Sequence, residues 1–149
     1  PEIDAAFLAI ANTLSEGGIF VFEDPSLSKM IERVSVIFGD DSVLAKLYNE
    51  ARALIFTSYY EGFGLPLVEA MASKCPVFVS DIDIAKEICL SSVEYFDNQD
   101  SDDLKAKLEN TIFDSEKLKV LANKGYKLSK EYNWNKCAKK TIDVYKKFI

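Results

Sequence analysis

Apolar residues recur along this chain in two rhythms, one of helical period and one of short unbroken runs. Over 2–16, Ile3, Phe7, Leu8, Ile10, Ala11 and Leu14 fall at helical spacing, and Gly17-Gly18 stop the run. Ile19-Phe20-Val21-Phe22 is a short continuous apolar run, the pattern of a strand buried on both faces. After the breaker Pro25, the spacing predicts a short helix from Leu27 to Arg33, then a strand over Val34-Ser35-Val36-Ile37-Phe38. Asp40, Asp41 and Ser42 offer caps for a helix through Leu44, Leu47, Tyr48 and Ala51. Ala53-Leu54-Ile55-Phe56 is a further strand, followed by Thr57-Ser58-Tyr59-Tyr60 and a Gly-rich turn. A helix begins at Leu65 or Pro66, where proline is tolerated, and runs to about Ser73. Pro76–Ser80 reads as a strand, Ile84–Ile88 as a short helix and Val93–Phe96 as a last strand. Helical stretches near 101–112, 115–131 and 135–148 close the chain.

Strands that alternate with helices build parallel βαβ units covered on both faces. Right-handed crossovers then give an α/β fold with a Rossmann-like, doubly wound parallel sheet. Ligands of such sheets sit beyond the carboxyl ends of the strands, and the loop after Phe56 lies there.

Composition narrows the chemistry. The 149 residues suit one domain, and 48% hydrophobic content excludes a disordered chain. No apolar run approaches the ~20 residues of a bilayer span. No basic region followed by an apolar stretch marks a signal peptide at the start. A chain that begins at Pro1 reads as a fragment or a processed product. A net charge of −6 argues against nucleic acid as a partner. Cys75, Cys89 and Cys137 are odd in number and form no CxxC, which fits reduced, mostly buried thiols in a cytoplasmic protein. The absence of histidine removes Ser-His-Asp triads and His-containing zinc sites.

The informative segment is Glu61-Gly62-Phe63-Gly64-Leu65-Pro66-Leu67-Val68-Glu69. Glycines allow close backbone approach, and the first amides of a helix suit phosphate or sugar oxygens. Glu61 falls in the loop and Glu69 on the second helical turn, eight positions on. Each carboxylate accepts two hydrogen bonds from a vicinal diol, so the pair could hold two polyol rings, such as a ribose and a hexose. A Gly-rich turn taken alone is as well explained by the turn itself, and Glu69 taken alone by a solvated helix position. Asp81-Ile82-Asp83 has the spelling of a metal motif but reads better as a turn and helix cap.

The string from Leu47 to Ala72 resembles the carboxyl-terminal domain of family 4, or group 1, glycosyltransferases, which are GT-B enzymes with an E-x7-E motif, here Glu61 and Glu69. The likeness continues through Pro76–Asp81, Glu87, Tyr95-Phe96-Asp97 and Tyr132-Asn133-Trp134. It covers 35–137 well and 1–34 more loosely. The resemblance implies that residues 1–149 form a nucleotide-sugar-binding domain without its first strand and without the amino-terminal acceptor domain. It implies retaining transfer of a hexose-like unit from a nucleotide-diphosphate sugar to a glycan or lipid-linked acceptor hydroxyl, with no cofactor and no metal. Glu61 would act catalytically on the donor sugar's hydroxyls. Gly62, Phe63, Gly64 and Leu65 would bind sugar and diphosphate through their amides, and Glu69 would accept from the ribose. The isolated domain would be inactive. Other readings are a degenerate, noncatalytic sugar-nucleotide-binding module and another GT-B relative such as an epimerase.

Three features depart from the family pattern, the absent amino-terminal acceptor domain being one. The phosphate-gripping Arg and Lys usually precede the helix at 2–16 and are not in the chain. Lys86, Lys29 and Arg52 are substitute cations or, more simply, surface charges. Lys74 stands where the family often has Gly after the motif helix, which either strains a left-handed turn or marks a different one. The Lys-rich 115–148 region presents a solvated face or, since many family members act on lipid-linked acceptors, a peripheral contact with the inner face of a membrane. Trp134, Ala138, Ile142 and Tyr145 form a stripe suited to packing on a second domain.

Overall fold

The computed structural model describes residues 20–22 and 41–148. The predicted helices at 2–16 and 27–33 and the predicted strand at 34–38 lie outside the described residues. Four described strands form one sheet in the order β1 (Phe20–Phe22), β2 (Leu54–Phe56), β3 (Val77–Ser80) and β4 (Glu94–Phe96). All three pairings are parallel, with Leu54 opposite both Phe20 and Val77, and Phe78 opposite Glu94. Helix α1 (Asp41–Glu50) leads into β2, α2 (Leu65–Ala72) joins β2 to β3, and α3 (Asp83–Cys89) joins β3 to β4. Three more follow: α4 (Ser101–Thr111), α5 (Ser115–Ser129) and α6 (Trp134–Tyr145). The Rossmann-like parallel architecture is therefore present, with element ends within a few residues of those expected.

Successive side chains of a strand point to opposite faces, and here both faces are buried. Leu54, Phe56, Val77 and Val79 pack with Tyr48 of α1, Leu67 and Met71 of α2, and Ala85 and Ile88 of α3. Ala53, Ile55, Phe78 and Phe96 form the opposite face with Ile112, Leu118 and the half-buried Leu104 and Leu108 of α4. This accounts for the unbroken apolar runs in the sequence.

Helix α2 ends in a Schellman turn. The Lys74 amide donates to Met71 O at 3.1 Å, and the Cys75 amide donates to Ala70 O at 2.9 Å. Lys74 takes the left-handed position, with φ 57°. The turn is thus the one that glycine would fill, and Lys74 occupies it under strain of about 1–2 kcal/mol. Its Nζ sits 4.8 Å from the Tyr126 ring centroid, a contact of about 0.5–1 kcal/mol. Lys74→Gly relieves the strain but loses the ring contact and adds about 0.4–1 kcal/mol of unfolded-chain entropy. These terms nearly cancel, so we expect Lys74→Gly to change stability by less than about 1 kcal/mol. Lys74→Ala keeps the strain and loses the contact, and should cost about 0.5–1 kcal/mol. Urea denaturation of both variants checks the ordering.

The amino ends of the later helices differ. Asp100 caps α4 by accepting from the amides of Asp102 and Asp103, Asp114 caps α5, and Asn133 caps α6. The Asp81-Ile82-Asp83 segment contains no side-chain cap, since Ile82 takes the cap position and Asp83 lies in the first turn. Asp81 instead pairs with Lys86 at 2.6 Å. No group of residues suited to a metal occurs among the described residues. Cys75 and Cys89 are buried, and burial pushes both thiols up to about 12, so they stay neutral. Cys137 is exposed, on a helix with no buried residue, so two of the three thiols are buried, in keeping with the expectation of mostly buried thiols. The stripe of Trp134, Ala138, Ile142 and Tyr145 accordingly faces solvent. Among the described residues, no helix is long and apolar enough to cross a membrane.

Candidate functional site

The motif begins where β2 ends. All three residues of β2 are buried, which fixes the start of the loop at the carboxyl edge of the sheet. Ser58, two residues on, is only 7% exposed. Its hydroxyl donates to Glu61 Oε1 at 2.8 Å, a short bond to a half-buried carboxylate. Gly62 is exposed, and a Cβ built there meets nothing within 4 Å. Among the described residues, packing therefore does not require glycine at that position.

Gly64 is different. It caps α2 in the left-handed conformation, φ 85° and ψ 48°, and a Cβ there would lie 3.0 Å from Leu67 Cδ1. The left-handed backbone favours glycine, and a Cβ there would press on the buried Leu67 side chain. Gly64 offers no side chain to cap the amino end of α2, and no acid lies in its first turn. Pro66 contributes no amide proton, and the Leu67 amide donates to Gly64 O at 3.0 Å. The positive end of the helix dipole thus has neither a capping side chain at Gly64 nor an acid in the first turn.

Phe63 and Leu65 are exposed, at 42% and 51%. The Phe63 ring meets the Tyr132 ring edge-on, with centroids 6.1 Å apart. Tyr132 is itself held by donating to Ile88 O at 2.9 Å. The Tyr132-Asn133-Trp134 string therefore supports the Gly-rich loop as well as starting α6. That contact crosses about seventy positions, and no sequence signal announced it.

Glu69 is half-buried on α2, and the Tyr48 hydroxyl of α1 lies 3.4 Å from its Oε2, a long hydrogen bond. Tyr48 is 1% exposed, and its phenol is pushed upward first by burial and then by the Glu69 charge. It stays protonated and keeps its donor. Ser58 and Tyr48 are the polar supports that sequence reading missed. Ser58 could have been suspected from its place three residues before Glu61, whereas Tyr48 matches only the core spacing of α1.

The substitute cations fare differently. Arg52 lies before β2, at the opposite end of the strand from the motif. Its Nε donates to Ile112 O at 2.6 Å, and its guanidinium sits over Phe113. Lys86 is tied to Asp81, and Lys29 lies outside the described residues. A depression of about 520 Å³ opens beyond the carboxyl ends of β2 and β4, between Thr57 and Tyr59 on one side and Asp97–Ser101 on the other. Neither glutamate of the motif lines it.

A family model described as glycosyl transferases, group 1, matches residues 21–128. This chain belongs to that family. Among its curated relatives, the O-antigen chain mannosyltransferase B of Escherichia coli is 30% identical over 132 residues, covering 84% of this chain and 35% of the relative. The MMP alpha-(1->4)-mannosyltransferase of Mycolicibacterium hassiacum is 34% identical over 113 residues, covering 73% of this chain and 28% of the relative. The chain thus spans about a third of the length of these relatives. Two solved structures share the fold. A sucrose-phosphate synthase from Thermosynechococcus elongatus aligns with a TM-score of 0.66 at 23% identity, over 85% of this chain and 35% of its own. TarM aligns with a TM-score of 0.64 at 17% identity, over 95% of this chain and 32% of its own.

Proposed function

We propose that this chain is the donor-binding, carboxyl-terminal half of a two-domain retaining glycosyltransferase. The enzyme would move a hexose from a nucleotide-diphosphate sugar to a hydroxyl of a glycan or lipid-linked acceptor. The observation that carries the reading is the uncapped amino end of α2, introduced by Gly64 and flanked in sequence by Glu61 and Glu69. The diphosphate would meet the amides and dipole of α2. Glu61 would accept from the sugar's hydroxyls and Glu69 from the ribose. The open space at Gly62 would let the sugar approach the backbone. Mannose is the sugar that the relatives' names support.

With Arg52 at the far end and Lys86 paired to Asp81, further cations for the diphosphate would come from outside the described residues. The acceptor would bind a second domain, so residues 1–149 alone would transfer nothing. The protein would work in the cytoplasm, with lipid-linked acceptors met at the membrane's inner face.

The test is a panel of GDP-, UDP- and ADP-sugars against the full-length protein. One nucleotide should stabilise it, by about 2.7 kcal/mol at a hundredfold excess over Kd, and its mannose or other hexose donor should support transfer. NMR of the product should show the donor's anomeric configuration preserved. No stabilisation by any nucleotide sugar would sink the proposal, and an inverted product would remove the retaining mechanism.

A further inference from the structure

We infer that Ser58 is a positioning residue for Glu61: its buried hydroxyl holds the carboxylate in the orientation used on the sugar. This role rests on the donor-site reading above. The observation is geometric. Ser58 is 7% exposed at the end of β2, and its hydroxyl donates to Glu61 Oε1 at 2.8 Å. The strand anchors the serine, because Leu54, Ile55 and Phe56 are all buried. The serine in turn anchors a loop residue whose neighbours Tyr60 and Gly62 are exposed.

A glutamate in an exposed loop otherwise rotates freely about its side-chain bonds, and ligand binding must then arrest that motion. A hydrogen bond already made removes part of that cost before the sugar arrives. It also divides the labour between the two carboxylate oxygens. Oε1 accepts from Ser58, while Oε2 keeps its lone pairs for hydroxyls of a ligand. Serine suits the task because its side chain is short and its one proton has one direction to satisfy. The plainer alternative is that Ser58 merely staples the loop. The two differ in what fails when the hydroxyl is removed.

The experiment is a double-mutant cycle in the full-length protein, with Ser58→Ala and Glu61→Ala singly and together. Turnover of the nucleotide sugar, nucleotide diphosphate affinity and thermal unfolding are each measured. Ser58→Ala should lower kcat/KM about tenfold while leaving nucleotide diphosphate affinity within about twofold. In the Glu61→Ala background it should cost nothing further, because the group it positions is gone. Full turnover by a folded Ser58→Ala protein would overturn the role. So would an equal loss in both backgrounds, or an unfolded Ser58→Ala beside a folded Glu61→Ala, since the hydroxyl would then serve the loop. A wild-type protein that transfers no sugar would overturn the functional reading and this role together. Normal wild-type transfer with Ser58→Ala unaffected would overturn the role of Ser58 alone.

Discussion

Glu69→Ala should weaken the full-length protein's affinity for donor and free nucleotide diphosphate alike, while Glu61→Ala should spare the nucleotide and slow transfer. The reason is the division of ligands: both molecules carry the ribose assigned to Glu69, but only the donor carries the sugar assigned to Glu61. Removing a carboxylate that accepts from a bound hydroxyl costs roughly 1–3 kcal/mol, or one to two decades in affinity or rate. Each carboxylate also has a partner within the chain, Ser58 for Glu61 and Tyr48 for Glu69. Tyr48→Phe is the control for the second, since it removes the phenol at 3.4 Å and keeps the carboxylate. At that distance the bond is weak, so Tyr48→Phe should change nucleotide affinity far less than Glu69→Ala. Calorimetry with the nucleotide diphosphate, alongside turnover with the donor, separates the two glutamates. Nucleotide binding lost in Glu61→Ala and kept in Glu69→Ala would reverse the assignment. No effect from either, in folded proteins, would make the motif structural.

Gly125→Val should destabilise the fold by about 1–3 kcal/mol, although valine is the better helix former. Gly125 is buried in α5 where that helix packs on α2. A Cβ built there falls 2.9 Å from Met71 Cγ and 3.3 Å from Met71 Cβ. Met71 is flexible in principle, but it is 1% exposed within the core that includes Leu67 and Val79, and close packing leaves it nowhere to swing. Helix propensity returns only a few tenths of a kcal/mol on replacing Gly by Val, so the collision wins. Trimming the partner should expose the cause. In a Met71→Ala background the contacts to Cγ and Sδ vanish, and Gly125→Val should cost much less than in the wild type. Chemical denaturation of the four proteins gives the coupling, and an equal cost in both backgrounds would refute the steric account. Because α2 carries Glu69, a displaced α2 should also weaken nucleotide binding in Gly125→Val.

The sequence by itself determined the alternation of strands and helices and the parallel class, and it singled out the Glu61–Glu69 segment on which the proposed function rests. Short apolar runs such as Leu54-Ile55-Phe56 can be satisfied only by burial on both faces, and that demand is local. The Gly-rich turn and the helix start at Leu65 or Pro66 likewise placed Glu61 in the loop and Glu69 on the helix. The family resemblance left two readings of Lys74, a strained left-handed turn or a different turn, and the left-handed φ of 57° decides for the first. Tertiary structure alone decided the rest. It tied Arg52 to Ile112 O, a bond that spans sixty positions. It set Tyr132 against Phe63 and Tyr48 beside Glu69, joining residues whose own patterns speak only of core or helix start. It turned the apolar stripe of α6 to solvent, since amphipathic spacing specifies that a face seeks a partner and not which partner is present. Contacts between distant positions depend on how the layers pack, and one-dimensional periodicity carries no record of that packing.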